Sequence, residues 1–146
     1  MTVDRESGIV NRVKVTSYKD LEVWRKGIEI VDRVYTITNG FPETERYGLV
    51  TQMQRAAVSI PSNIAEGFAR QHVGEYRQFL YVSLGSCAEL ETQLHIAQRR
   101  EYASKEDVAN VEEMLDHESR MLMSLIKRLA AKQTNRGRST NDERRS

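Results

Sequence analysis

The sequence predicts an all-α protein, an antiparallel up-down bundle of four helices. Four segments carry apolar residues at steps of three and four, the spacing of one helical face. The connections between them are a few residues long, which makes successive helices run antiparallel. The whole chain, at 146 residues with 29% charged, 39% hydrophobic and two prolines, suits one helix-rich domain.

The first segment covers about residues 20–39. Leu21, Trp24, Ile28, Val31 and Tyr35 form its stripe, and Asn39-Gly40 followed by Pro42 predicts a left-handed stop. The second begins near the acidic residues 43–45, which suit the positive end of a helix dipole. Its stripe is Val50, Met53, Ala57, Ile60, Ile64 and Phe68. Pro61 interrupts this pattern, because proline lacks the N–H that would bond to the Ala57 carbonyl. One helix kinked at Pro61 is expected, with Ser59, Ser62 and Asn63 serving the local backbone; two shorter helices are the alternative. The third segment, 73–102, carries Tyr76, Leu80, Ser83, Cys87, Leu90, Leu94 and Ala97 without a slip, and Gly85 predicts a close helix–helix approach. The fourth opens on a Ser104/Asp107 capping box and follows Val108, Val111, Leu115, Leu122, Leu125 and Leu129, with Glu118 at the one polar stripe position. The bundle domain is thus placed at 18–132. Residues 1–17 form an extension, a flexible or docking arm with partial strand-like alternation over 9–15, and 133–146 read as a disordered basic tail.

Two helices carry more uncharged surface than one bundle needs. Gln52, Ala56, Ser59, Asn63 and Glu66 run beside the main stripe of the second helix, and Phe79, Val82 and Ser86 flank that of the third. A second contact, a homo-oligomer, accounts for them. Arg55 and Pro61 complete this candidate set of interface and kink residues.

Chemistry finds little footing. Neither His72, His95 nor His117 has a glutamate three residues before it, as the dimetal bundles require. Cys87, the single cysteine, lies within an apolar stripe, where burial keeps a thiol inert; it also excludes an internal disulfide and fits a reducing cytoplasm. No phosphate-binding glycine loop is present, and no apolar run reaches membrane-spanning length. No enzyme, cofactor, metal or membrane role is therefore expected. Residues 18–131 hold 14 basic and 17 acidic side chains, a balance of −3, against the basic face of a dedicated nucleic-acid domain. Positive charge collects at the helix ends and in the tail: Arg99, Arg100, Lys127, Arg128, Lys132, Arg136, Arg138, Arg144 and Arg145 are the candidate RNA or DNA contacts.

The runs YKDLEVWRKG at 18–27, YGL at 47–49, QRAAVSIPSNIAEG at 54–67, EYRQFLYVSLGS at 75–86 and ELETQL at 89–94 are distinctive together. They resemble the bacterial four-helix-bundle family of 23S rRNA intervening-sequence proteins, also labelled the S23 ribosomal protein family, and cover residues 18–102. The resemblance implies homopentameric rings and transfers no catalytic residue. A more distant likeness is to the accessory protein of diversity-generating retroelements, a basic pentameric barrel that binds a reverse transcriptase and nucleic acid; the −3 balance here departs from it. The expected function is a cytoplasmic, non-enzymatic pentameric scaffold or adaptor for an unidentified protein partner, with nucleic-acid binding as the alternative.

Overall fold

A computed structural model describes residues 15–145, with side chains described through Asn135. The expected strand-like alternation at 9–15 lies, apart from Val15, outside the described residues. Four helices form the fold: α1 Glu22–Thr38, α2 Leu49–Phe68, α3 Val73–Arg99 and α4 Lys105–Arg145. Each packs on its chain neighbours, and α1 closes the bundle against α4. Among the described residues there is no strand.

The domain starts earlier than Tyr18. Val15 packs on the core, and the Asp20 carboxylate accepts from the backbone N–H groups of Thr16 and Ser17, opening a 3₁₀ turn over Tyr18–Asp20. In α1 the buried stripe is Val23, Gly27, Ile30, Val34 and Thr38. The expected stripe is rotated onto its flank: Trp24, Ile28 and Val31 are half-buried and Tyr35 is exposed, although Leu21 is buried. Nor does α1 end in a left-handed cap. Asn39 stays in the right-handed helical region, and the chain turns through Gly40 N–H to the Ile37 carbonyl and Phe41 N–H to the Thr38 carbonyl, which seats Phe41 in the core.

Residues 43–45 make a separate 3₁₀ turn instead of opening α2. Glu45 serves the helix from outside: one carboxylate oxygen accepts the Leu49 N–H at 3.2 Å, the other the Tyr102 hydroxyl at 3.2 Å. That bond and the Phe41–Tyr102 ring contact, 5.7 Å between centroids, tie the α1–α2 and α3–α4 turns into one end of the bundle. The other end is marked by Arg77 donating to Gln133 at 3.1 Å. α2 runs unbroken through Pro61, so the two-helix alternative is excluded.

The core stripes of α3 and α4 fall where their spacing puts them, and Glu118 is fully buried within that of α4. α3 closes at Arg99 with Glu101 in the left-handed region, φ 62°, while the Tyr102 N–H reaches back to the Ala97 carbonyl. This conformation costs an L-residue about 1 kcal/mol, so Glu101→Gly raises the stability by about that amount, read as a higher urea midpoint. The tail expectation is corrected: α4 continues past Lys132 to Arg145, 41 residues in all. Extending a helix already nucleated in the bundle fixes one residue per added bond, and after Pro61 no proline stops it.

Candidate functional site

The candidate interface residues divide by burial. Gln52, Arg55, Glu66 and Val82 are exposed; Ser59, Asn63 and Phe79 are half-buried; Ala56, Pro61 and Ser86 are buried within the single chain. The last three therefore serve the bundle itself. Asn63 donates to the Ser59 carbonyl at 2.8 Å and to its hydroxyl at 2.9 Å, and Ser86 donates to the Ser59 hydroxyl at 2.8 Å. Ser83 donates to the Ile60 carbonyl at 2.9 Å. The short polar residues around Pro61 thus stitch α2 to α3, with carbonyls buried by the contact gaining extra donors. Pro61 itself packs against α1, where a Cβ added to Gly27 would lie 3.2 Å from the proline Cβ.

Small residues mark close approach in two places and not in a third. Besides Gly27, Gly67 admits α3 so closely that a Cβ there would meet Phe79 Cβ at 2.8 Å. Gly85 was expected in such a contact and instead faces open space. The outer surfaces of α2 and α3 also bear exposed apolar side chains: Val58 (41% exposed) on α2, and Val82 (51%) and Ile96 (43%) on α3.

The basic candidates are not gathered together. Arg99 and Arg100 are exposed at the end of α3 where it turns into α4. Lys127, Arg128 and Lys132 lie toward the opposite end, near the Arg77–Gln133 contact. Lys127 and Lys132 are exposed, whereas Arg128 is half-buried, its Nε and one Nη shielded from water without a hydrogen-bond partner among the described residues. The side chains of Arg136, Arg138, Arg144 and Arg145 lie outside the described ones.

The sequence reading passed over an acidic groove. Glu91, Thr92 and His95 on α3 face Glu112 and Asp116 on α4 around an open space of about 430 Å³. Burial first, then the neighbouring Asp116 and Glu112 carboxylates, pushes the Glu91 carboxyl up. The only signal available was that Glu91 and His95 sit four apart, and the pairing with α4 is tertiary. A raised carboxyl holds its proton in the folded state at a pH where the unfolded chain has lost it. Stability therefore falls as pH rises through that interval and is restored by acid. Glu91→Gln stabilises the protein at pH 7, and the gain closes below the ordinary carboxylate pKa; thermal melts across pH read it. Cys87 sits beneath this region. Burial, then the Glu118 charge, lifts its thiol to about 12 against a lowering hydrogen bond from Ser119, so it is no nucleophile at neutral pH.

A second concavity, about 590 Å³, lies at the α1–α2 turn between Tyr35, Phe41, Arg46 and Tyr47. Among the described residues no three His, Cys, Asp or Glu side chains are arranged to hold a metal ion, and no helix is long and apolar enough to cross a membrane.

Comparisons with known proteins fit this architecture. The crystal structure of a protein of unknown function from the S23 ribosomal protein family of Bacteroides thetaiotaomicron VPI-5482 superimposes with a TM-score of 0.65, at 25% identity, over 72% of this chain and 98% of that one. Curated proteins gave no significant match. The sequence profile described as 23S rRNA-intervening sequence protein matches residues 19–124, from the turn before α1 to the middle of α4. The chain therefore belongs to the 23S rRNA-intervening sequence protein family.

Proposed function

We propose that the protein is a non-enzymatic, cytoplasmic scaffold that works as a closed homo-oligomer, a pentamer, and presents its ring to a protein partner. The observation that carries this reading is the set of exposed apolar side chains on the outer surfaces of α2 and α3, Val58, Val82 and Ile96, together with the open position at Gly85. Apolar groups left in water on two adjacent helices are consistent with an association surface. The face is not built as an active site: the serine and asparagine hydroxyl and amide groups beneath it are spent on bonds between α2 and α3. In this reading Pro61 kinks α2 and so sets the angle at which the outer face meets a neighbour.

Light scattering during gel filtration tests the assembly. Five subunits of 16.8 kDa give about 84 kDa, and a monomer peak at all concentrations refutes the ring. The second reading, an RNA- or DNA-binding accessory protein, draws on the extension of α4 into a segment rich in arginine. Excess absorbance at 260 nm that is lost in high salt, and lost on deleting residues 133–146, supports that reading over the first.

A further inference from the structure

We propose that the outer face of α2 around Arg55 docks against the acidic groove between α3 and α4 of a second copy of this chain. The inference rests on the oligomer reading and says which two surfaces meet.

The two surfaces complement each other in charge. Arg55 is exposed and has no ion-pair partner among the described residues, while the apolar Val58 beside it is also uncovered. The groove has the opposite imbalance. Glu91, Glu112 and Asp116 crowd one another with no lysine or arginine ion-paired to them among the described residues. The upward push on Glu91 records part of that crowding. A guanidinium entering the groove relieves the repulsion and finds acceptors suited to a bidentate pair. The outer surface of α3 leading toward the groove carries exposed apolar groups. Tyr81, 47% exposed, and the exposed Ala88 lie on the stripe of α3 that continues to Thr92 in the groove.

Geometry keeps the two surfaces apart within one chain. α2 packs on α1 and α3, and the groove opens between α3 and α4, so the surfaces lie on different sides of the bundle. A contact between unlike patches is heterologous, and such contacts close into rings when the rotation permits. Height matches as well. Ser59 is level with Ser86 and Ile60 with Ser83, through their hydrogen bonds, and α2 and α3 run antiparallel. Moving four residues from Ser59 back to Arg55 corresponds to moving four from Ser86 on to Leu90, next to Glu91. Rotation about an axis parallel to the helices preserves height and brings Arg55 of one copy level with the groove of the next.

Charge reversal tests the pairing, with oligomer mass followed by light scattering over a dilution series at pH 8. Arg55→Glu and Asp116→Arg each shift dissociation to at least about tenfold higher protein concentration, and the double variant, which presents both reversed charges, recovers most of that loss. Arg55→Ala and Asp116→Asn, which remove charge without reversing it, shift it the same way and stand in should a reversal disturb folding, as judged by far-UV circular dichroism. An assembled wild type whose mass profile is indifferent to the Arg55 and Asp116 changes overturns this contact and leaves the ring standing. Single losses without recovery in the double variant overturn the pairing as well. A wild type that is monomeric at every concentration overturns the ring, and this contact with it.

Discussion

Ile60→Asp leaves the chain without a cooperative thermal transition, and without the assembled species. Ile60 is fully buried in the middle of α2, between Pro61, which packs on α1, and the Ser59–Ser86 contact to α3. Removing the side chain alone costs about 2–5 kcal/mol, as for other aliphatic residues cut back in a close-packed core. The carboxylate adds the cost of burying a charge, and the donors at hand are engaged: the Ser83 hydroxyl bonds the Ile60 carbonyl and the Asn63 amide bonds Ser59. The sum rivals the whole stability of a typical domain, about 5–15 kcal/mol. Ile60→Val provides the control. It deletes one methylene, costs about 1 kcal/mol, and leaves circular dichroism and oligomer mass unchanged. A folded, assembled Ile60→Asp protein contradicts the placement of α2.

The fold was legible where periodicity had no competitor. On α3 the steps from Leu80 to Ala97 never slip, and every one of those positions is buried. On α1 two stripes compete. An apolar template favours Trp24, Ile28, Val31 and Tyr35 because Gly27 and Thr38 do not score as core residues; yet Gly27 is where α1 meets Pro61, and the Thr38 hydroxyl is buried by donating to the Val34 carbonyl at 2.8 Å. Burial followed the residues that permit contact and left the bulky ones on the flank. Composition also misjudged the end of α4. A lack of apolar residues argues against packing, and α4 nevertheless continues as helix beyond its last core residue, Leu129.

The candidate site was legible in part, and the missing part is tertiary. The block around Pro61 was identifiable as a polar cluster on one helix, but whether its serines face a neighbour or their own chain depends on where α3 passes. Ser86 and Ala56 proved to be internal, Arg55 and Val82 external. The acidic groove needs α3 and α4 in register: Glu91 meets Asp116 across a separation of 25 residues that no local spacing encodes. Gly85 shows the same limit in reverse, since its small size predicts close contact at a position that is open.

Gly67→Ala carries the second large effect, and it separates the glycine that matters from the one that looked as though it should. Gly67 closes α2 one residue before the helix ends, and a Cβ there would lie 2.8 Å from Phe79 Cβ, 3.0 Å from the Tyr76 ring and 3.1 Å from the Tyr76 carbonyl oxygen. Two of these three atoms are fixed to the α3 backbone, so rotating a side chain does not make room. α3 must move outward, and it is held there by the Phe68–Tyr76 ring contact at 6.2 Å and by the Arg70 guanidinium 4.8 Å from the Phe79 ring. Overpacking of this kind costs about 1–3 kcal/mol, and the backbone obstruction places Gly67→Ala in the upper part of that range. Alanine's better helix propensity recovers at most about 1 kcal/mol of it. Gly85→Ala makes the comparison within the same protein. It has the same propensity gain, no atom within 4 Å to obstruct it, and a predicted rise in stability of up to about 1 kcal/mol. Urea denaturation of the two variants at one protein concentration gives midpoints displaced in opposite directions. Equal midpoints refute the close approach of α2 and α3 at Gly67. If Gly85→Ala instead loses stability only at concentrations where the wild type is assembled, the open face at Gly85 is covered by a neighbouring subunit.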